Sequence, residues 1–409
     1  MTKNSHNSST KQSTSILTNV YFDYLDALRC LAFLAVFYAH TGTFLLGDKI
    51  TNAFPINLWK QFTIYGVYGV NFFFVLSGFL ITYLLLREKS KPEGISIKRF
   101  YFRRIIRIWP VYFATIFITI FILPLIIQPA TQIAFPILNT DYSFLSLGFF
   151  ALFLGNFFTG FDMGFVPFSL NILWSVCIEE QFYLVWPWLV RYLNIRKLAL
   201  FTCLLISLSF LYKYLYGMDR LANYYITWSV GMDLAFGALL GIFYFKKYIK
   251  KIIIYSLSII AACLGLITII YLADKSALIE IIRLVKTPIV DCIFMLIILY
   301  SVNKISEFNS PNTKLSSKNY FVSALHISKS KILSSLKFLG KISYGLYAYH
   351  PACLMLTIQL FFSIGLLRAE IERLEFFSFV IISLSITILV AILSNKYLEK
   401  RFLALKDKN

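Results

Sequence analysis

The chain has 409 residues, of which 58% are hydrophobic and only 14% are charged. A soluble globular protein carries about 25% charged residues, so this composition excludes a soluble domain and indicates a membrane protein. The net charge of +19 comes with Lys and Arg clusters near the ends of apolar segments. This pattern favours contact with anionic lipid over binding of nucleic acid.

Ten apolar segments have the length of about 20 residues that a helix needs to cross a bilayer. We therefore predict an all-α fold, a polytopic transmembrane helical bundle, with spans at 24–46, 64–86, 105–127, 171–193, 197–216, 225–245, 252–272, 285–303, 340–363 and 376–396. Lys and Arg crowd every second connecting segment, whereas 128–170 contains none. The positive-inside rule then predicts that both termini lie in the cytoplasm, with 304–339 as a cytoplasmic loop.

The ends of the chain and one short apolar segment lie outside these spans. The polar segment 1–23 is predicted to be a disordered cytoplasmic tail rather than a signal peptide, because it has no apolar core. The transmembrane domain is predicted at 24–402, with a second cytoplasmic tail at 403–409. The apolar segment 144–158 is too short to cross the bilayer, so we interpret it as re-entrant or interfacial.

The first span carries three ionisable residues on one side of the predicted helix. At about 100° per residue, Arg29 and His40 lie about 20° apart around the helix axis, and Asp26 lies within about 40° of His40. The rise per residue separates Arg29 from His40 by about 16 Å in depth. Because ionisable groups in hydrocarbon cost about 2.5–3.5 kcal/mol each, this stripe is expected to face a polar, functional interior.

The fourth span carries two adjacent carboxylates, Glu179 and Glu180, within an apolar helix. Such residues are costly in a membrane and are therefore candidates for function. Tyr183 lies on the same face as Glu179, one turn further along. An ion pair between Glu179 and Arg29 is the structural alternative.

Polar residues of other spans lie at a depth similar to that of this carboxylate. Counted from the outer helix ends, His40, Asn71 and Glu179 each lie about 9–12 Å into the membrane. We therefore expect an imidazole, an amide and a carboxylate to share one polar layer. Asp233 and Asp291 lie in the outer halves of their spans, where they either join this layer or pair with neighbouring groups.

Basic residues are concentrated where the third span begins. Arg104 and Arg107 are one turn apart and share a face of the helix, and Arg103 is next to them. Guanidinium groups bind phosphate in a bidentate manner, so this cluster is a candidate phosphate site on the cytoplasmic side. The alternative is an ordinary positive-inside anchor.

Polar side chains in two further spans each have two possible roles. Ser77 in the second span either joins the site or bonds to its own helix backbone. In the ninth span, Tyr347 and His350 follow helical spacing on one face, and His350 precedes Pro351. His350 is either part of the site or a hydrogen bond between helices.

Six motifs occur in order and cover nearly the whole chain. They are Arg29-x10-His40, GVNFFFVLSGF at 69–79, Arg104-Ile-Ile-Arg107, WSVCIEEQFYLVWP at 174–187, SYGLYAYHP at 343–351 and YLEKRF at 397–402. This set resembles the acyltransferase-3 family of integral membrane acyltransferases. The resemblance implies ten transmembrane helices in the cytoplasmic membrane of a bacterium, and transfer of an acyl group, usually acetyl from cytoplasmic acetyl-CoA.

The resemblance also implies acceptors and roles for particular residues. Acceptors in the family include hydroxyls of cell-surface polysaccharides, peptidoglycan and lipid-linked glycans. Arg29 and His40 match the family's essential pair, and Glu179 matches its carboxylate after the WS motif. The family commonly has Asp where this chain has Asn71. Some members append an extracytoplasmic esterase-like domain, which is not expected here because the sequence ends at Asn409.

On the donor side, we expect the phosphates of acyl-CoA to bind at Arg103, Arg104 and Arg107. The narrow pantetheine arm then threads between helices toward the polar layer. Arg29 is assigned to the donor path, together with Asp26, because its depth is too far from the imidazole for direct contact. Acyl-CoA is expected as a co-substrate, and no bound cofactor is expected.

On the acceptor side, His40 acts either as general base on the acceptor hydroxyl or as a nucleophile that forms an acyl-imidazole. Glu179 either orients this imidazole or takes the acceptor's proton itself. A tyrosine, an amide or Ser77 is expected to donate a hydrogen bond to the thioester oxyanion. The six cysteines show no CxxC spacing, and no metal site is expected.

Two other functions fit some of these features. Ionisable residues inside the membrane also suit a proton-coupled exporter or a flippase of a lipid-linked sugar. We find no inverted repeat between the two halves of the chain, which many transporters have. The unrelated histidine-containing family of membrane O-acyltransferases is disfavoured, because the Arg-x10-His pattern of the first span is not its signature.

Overall fold

The computed structural model describes residues 22–46, 66, 68–216, 224–273, 278–308, 320–366 and 373–405. These residues form helices joined by turns and loops, and none of them lies in a β-strand. The predicted all-α fold is therefore confirmed. Residues 1–21 and 406–409 of the two predicted tails lie outside the described part of the chain.

The principal helices are numbered here in chain order. They are α1 (Asp23–Leu46), α2 (Tyr68–Lys89), α3 (Ile97–Phe117), α4 (Phe144–Ala151), α5 (Gly155–Gly160), α6 (Trp174–Tyr192), α7 (Ile195–Tyr216), α8 (Thr227–Phe245), α9 (Ile249–Ala273), α10 (Leu278–Phe308), α11 (Tyr320–Lys341), α12 (Ser343–Ser363) and α13 (Arg373–Ser394). Two of them continue through a π-helical turn, α3 through Ile118–Ile122 to Leu123–Ile126 and α13 through Asn395–Glu399 to Lys400–Leu403. Shorter helical turns lie at Pro129–Ala134, Pro136–Leu138 and Phe168–Asn171.

Within the described residues, seven helices are long and apolar enough to cross a membrane: α2, α3, α7, α8, α9, α10 and α13. The chain is thus a multi-pass helical membrane protein, as predicted. The other three predicted spans, 24–46, 171–193 and 340–363, coincide with α1, α6 and α12. These three helices carry several of the ionisable residues that the sequence assigned to the site.

The apolar segment 144–158 folds as two short helices rather than one span. At about 1.5 Å per residue, α4 is about 12 Å long, far less than the hydrocarbon core of about 30 Å. The turn between α4 and α5 contains Phe153 with a positive φ of 57°. Phe150 and Phe158 are buried, and the Tyr112 hydroxyl of α3 donates to the Phe150 carbonyl at 2.7 Å. The segment therefore packs back against the bundle.

Part of the predicted cytoplasmic loop 304–339 is instead helical. Within it, α11 packs along α1, and a Cβ atom added at Gly340 would overlap the Asp26 carbonyl oxygen. Near its end, Gly340 is buried and Leu333, Leu336, Lys337 and Leu339 are partly buried, and spacings of three and four residues among them follow the helical period. Because this apolar stripe is weak and lies among Ser and Lys residues, the sequence pattern predicts a loop where the structure has a helix.

Glycines bring the backbones of α2 and α8 into contact. A Cβ atom at Gly78 would overlap the carbonyl oxygen of Leu234, and one at Gly237 would overlap the carbonyl oxygen of Val75. Small residues allow this close approach between membrane helices. Because α2 is fixed against α8 on this side, its neighbouring residue Ser77 is held toward α6 on the other.

We predict that Gly237→Ala destabilises the bundle and that Gly231→Ala, on the same helix, does not. A methyl group at position 237 overlaps the Val75 carbonyl and forces α2 and α8 apart, which costs about 1–3 kcal/mol. A Cβ at position 231 meets nothing within 4 Å, and Ala is a better helix former than Gly. Thermal unfolding in detergent measures both variants. Equal stability of the two would contradict the packing described here.

Candidate active site

A polar cavity of about 160 Å³ lies between α1, α2, α3, α6 and α12. Its charged lining consists of three arginines and one carboxylate: Arg29, Arg104, Arg107 and Glu179. Hydroxyl groups complete the polar wall, from Ser77, Ser175, Ser343, Tyr183, Tyr344 and Tyr347. Positive charge exceeds negative charge in a cavity whose remaining wall is apolar, which suits an anionic ligand.

Glu179 accepts hydrogen bonds from two hydroxyl groups. Oγ of Ser77 on α2 donates to Oε1 at 2.8 Å, and the Tyr183 hydroxyl donates to Oε2 at 3.0 Å. Both carboxylate oxygens are thereby fixed in orientation. Ser77 therefore hydrogen-bonds to a carboxylate that lines the cavity, and not to the backbone of its own helix. Tyr183 contacts the same carboxylate.

One stripe of α6 faces the cavity. Ser175, Glu179 and Tyr183 are spaced by four residues and all three line it. Oγ of Ser175 lies 2.7 Å from the hydroxyl of Tyr347 on α12. Ser175 was not among the predicted site residues, nor was Tyr344, which lies three residues before Tyr347. The rule that residues three and four apart share a helix face would have found both.

The arginines at the start of α3 separate into two groups. Arg104 and Arg107 line the cavity, and the guanidinium of Arg104 lies 5.5 Å from the centroid of the Tyr183 ring. Arg103 forms an ion pair with Glu88 at 3.2 Å instead and does not line the cavity. Arg103 and Arg107 lie only about 40° apart around the helix axis, so the ion pair with Glu88, and not the helix angle, holds Arg103 away from the cavity.

Arg29 forms its ion pair with Asp26, three residues earlier on α1, at 2.5 Å. The alternative pairing of Arg29 with Glu179 is not formed, because hydroxyl donors occupy that carboxylate. Arg29 also lines the cavity, which places a third positive charge there.

His40 on α1 and His350 on α12 form a hydrogen-bonded pair. Nδ1 of His40 lies 2.7 Å from Nε2 of His350, and the two rings are nearly parallel, with centroids 5.0 Å apart and an angle of 7° between their planes. His350 is fully buried, whereas His40 is partly exposed. Nδ1 of His350 lies 2.6 Å from the carbonyl oxygen of Tyr347. The structure thus brings the two membrane histidines together.

The imidazole pair lies beside the cavity, and His40 is not part of the cavity lining. Tyr347 connects the two regions, because its side chain lines the cavity and its ring centroid lies 5.8 Å from that of His350. The hydrogen bonds among the described residues do not join Glu179 to the imidazole of His40. Both carboxylate oxygens accept from hydroxyl groups, and His350 contacts the imidazole instead.

Asn71 belongs to a second polar cluster. Its Nδ2 donates to Oδ2 of Asp233 at 2.5 Å, and the buried side chains of Asp291 and Lys213 interact electrostatically with this aspartate. The expected polar layer that included Asn71 with the site residues is therefore wrong. Six residues separate Asn71 from Ser77 on α2, which turns the two side chains about 120° apart.

The comparisons with known proteins identify a family for this chain. A family model described as Acyltransferase domain matches residues 22–395. Peptidoglycan O-acetyltransferase OatA of Listeria monocytogenes is 24% identical over 97% of this chain and 59% of its own length. Putative O-acetyltransferase SACOL0978 of Staphylococcus aureus is 27% identical over 96% of this chain and 59% of its own length.

A further relative is matched over part of this chain. Putative peptidoglycan O-acetyltransferase YrhL of Bacillus subtilis is 30% identical over 56% of this chain and 34% of its own length. The chain therefore spans well under two thirds of the length of these relatives. No solved structure matches the chain.

We predict that Lys213→Met strongly destabilises the protein. The change removes the buried cation that interacts electrostatically with the buried Asp233 and Asp291, and the loss of a buried charge's partner costs up to about 3–5 kcal/mol. Adding Asp291→Asn removes one of the two carboxyl groups and should recover much of the stability. Thermal unfolding in detergent compares the single and double variants. A double variant no more stable than Lys213→Met would contradict this coupling.

Proposed function

Because the chain belongs to the acyltransferase-3 family, we propose that it transfers an acetyl group from acetyl-CoA to a hydroxyl of a cell-envelope glycan. The observation that carries the proposal is the cavity in which Arg104 and Arg107 meet the oriented carboxylate of Glu179. A polyanionic donor needs such cations, and transfer to a hydroxyl needs a group that accepts its proton.

In this proposal, Arg104 and Arg107 hold the phosphate groups of the donor. Nε of Arg104 is buried and has no hydrogen-bond partner among the described residues, so this donor is available to a ligand. Arg29, paired with Asp26, adds a third positive charge. By the positive-inside rule the start of α3 faces the cytoplasm, from which we expect acetyl-CoA to bind as a co-substrate.

The acyl end of the donor passes from the cavity along Tyr347 to His40. As a general base, the imidazole takes the acceptor's proton while the acceptor oxygen attacks the thioester carbonyl carbon. The C–S bond breaks, and the imidazolium returns the proton to the CoA thiolate. As a nucleophile, His40 first displaces the CoA thiolate to form an acyl-imidazole. The acceptor hydroxyl then attacks the acyl carbon, the bond from that carbon to the imidazole nitrogen breaks, and the hydroxyl proton passes to the CoA thiolate. Both routes give the same ester and free CoA.

Glu179 has a role in the cavity that is separate from that of His40. It lies in the cavity with both oxygens held by hydroxyl groups, so it is fixed to receive a proton or to orient a hydroxyl within the cavity. Glu180, the next residue, accepts from the Trp109 indole at 3.3 Å instead and is not part of the cavity lining. The two adjacent carboxylates therefore have different surroundings.

The acceptor class is proposed from the relatives. The Listeria monocytogenes protein is named as a peptidoglycan O-acetyltransferase, and we extend the class of acceptor to peptidoglycan or another glycan of the bacterial envelope. The proposed location is the cytoplasmic membrane, which gives access to cytoplasmic donor on one side and to envelope glycan on the other.

A second candidate function is a proton-coupled exporter or flippase of a lipid-linked sugar. The observation in its favour is the buried cluster of Lys213, Asp233 and Asp291, because ionisable groups inside a membrane also form proton relays. A transporter of this kind does not consume a thioester. Release of CoA thiol therefore separates the two functions.

We predict that His40→Ala abolishes thiol release from acetyl-CoA. Purified wild-type protein, supplied with acetyl-CoA and peptidoglycan fragments, should release free CoA, and loss of the imidazole should slow this release by a factor of about 10²–10⁴. A thiol-reactive chromophore measures the rate, and thermal unfolding checks that both proteins are folded. Equal release from both would remove His40 from the chemistry. Absence of release from the wild type would favour the exporter.

We predict that Arg104→Gln raises the KM for acetyl-CoA and that Arg103→Gln, its matched control, leaves this KM unchanged. A hydrogen bond to a charged group contributes about 1.5–3 kcal/mol, so the loss corresponds to roughly a tenfold or larger increase. Arg103 pairs with Glu88 outside the cavity and should not contact the donor. Initial rates over a range of acetyl-CoA concentrations give both values. A similar KM for the two variants would place the donor elsewhere.

A further inference from the structure

The sequence His350-Pro351 has a specific consequence for the backbone of α12. In an α-helix, the N–H of each residue donates to the carbonyl oxygen four residues earlier. Pro351 lies inside α12 and has no N–H, so it leaves the carbonyl of Tyr347 without this partner. The side chain of His350 takes its place, with Nδ1 at 2.6 Å from the Tyr347 oxygen.

This contact determines the position of one hydrogen atom. A carbonyl oxygen only accepts hydrogen bonds, so Nδ1 of His350 must carry the hydrogen. A neutral imidazole has one N–H group and one acceptor nitrogen. His350 is fully buried with the rings of Phe33 and Phe37 beside it at 5.9 and 6.3 Å, and such surroundings favour the neutral form. Its Nε2 is therefore an acceptor.

The direction of the hydrogen bond between the two imidazoles follows from this. Nε2 of His350 lies 2.7 Å from Nδ1 of His40 and has no hydrogen to donate. Nδ1 of His40 must then be the donor. Since neutral His40 also has only one N–H group, its Nε2 carries a free electron pair.

We propose that His350 is a positioning residue, which holds His40 in the tautomer with hydrogen on Nδ1 so that Nε2 is the reacting atom. The inference rests on the proposed function and names the atom at which its proton or acyl transfer occurs. Pro351 contributes because it has no N–H and so leaves the Tyr347 carbonyl free to accept from His350. His40 is the partly exposed member of the pair, so it is the one that presents a nitrogen to a substrate.

The arrangement also stabilises the positive charge that forms on His40 during transfer. When Nε2 of His40 takes the acceptor's proton, the O–H bond breaks and an N–H bond forms, which leaves an imidazolium. Its Nδ1–H group then donates a charge-assisted hydrogen bond to the neutral His350, and such bonds are stronger than neutral ones. The proton leaves Nε2 for the CoA thiolate when the C–S bond breaks. A second imidazole thus has the place that a carboxylate has in a hydrolase triad.

Nitrogen NMR of protein labelled at histidine tests the tautomers without any substrate. The chain has four histidines, and His40→Gln and His350→Gln assign the two of interest by subtraction. We expect hydrogen on Nδ1 and a bare Nε2 for both residues in the wild type. In His350→Leu, His40 should lose this fixed tautomer. Hydrogen on Nε2 of His40 in the wild type would overturn the proposal.

Kinetics then distinguish positioning from packing. His350→Leu fills the space but removes the acceptor, so kcat should fall by roughly 10–100-fold, the range that loss of a partner orienting a histidine costs in metal sites, with the KM for acetyl-CoA unchanged. His350→Gln supplies a carboxamide oxygen near the position of Nε2 and should recover most of kcat. Equal losses in both variants at equal thermal stability, or no loss in His350→Leu, would contradict a positioning role.

Pro351→Ala provides a variant that leaves both imidazoles in place. The restored backbone N–H competes for the Tyr347 carbonyl, so we expect a smaller decrease in kcat and a mixed tautomer signal for His40. An unchanged spectrum and rate would remove Pro351 from the proposal. If wild-type protein releases no CoA, the proposed function fails, but the NMR spectrum still decides whether His350 sets the tautomer.

Discussion

Polar groups buried in hydrocarbon need partners, and in this chain many of those partners lie on other helices. A charged side chain at the bilayer centre costs about 2.5–3.5 kcal/mol on insertion scales, so an unpaired one is a large fraction of a protein's stability. The bond from Ser77 to Glu179 joins α2 to α6, and the bond from His40 to His350 joins α1 to α12. The polar residues that form the site therefore also fix which helices are neighbours.

Arguments about one helix at a time predicted the structure well. Apolar length predicted the helices at the ten spans, and the angle of about 100° per residue predicted that Arg104 and Arg107 share a face. Arg103 lies about 100° from Arg104 by the same angle, and the structure pairs it with Glu88. These predictions succeed because the geometry of a helix is set by its own backbone hydrogen bonds.

Arguments that compared depth between helices were less successful. Asn71 was matched to His40 and Glu179 by depth, yet it bonds to Asp233 of α8. Depth is one coordinate, and the rotation of α2 about its axis decides which residues meet. That rotation depends on the contact of Gly78 with the backbone of α8, a pairing of two helices that the pattern of either one alone does not specify.

One turn of α12 links the cavity to the imidazoles. The side chain of Tyr347 lines the cavity and its hydroxyl contacts Ser175, while its carbonyl accepts from His350. The cavity and the histidine pair are therefore positioned by the same residue through different atoms. The carbonyl is free for this contact because residue 351 is proline, which has no N–H to donate. A residue that normally weakens a helix thus leaves unused an acceptor that a regular helix would bond to its own backbone.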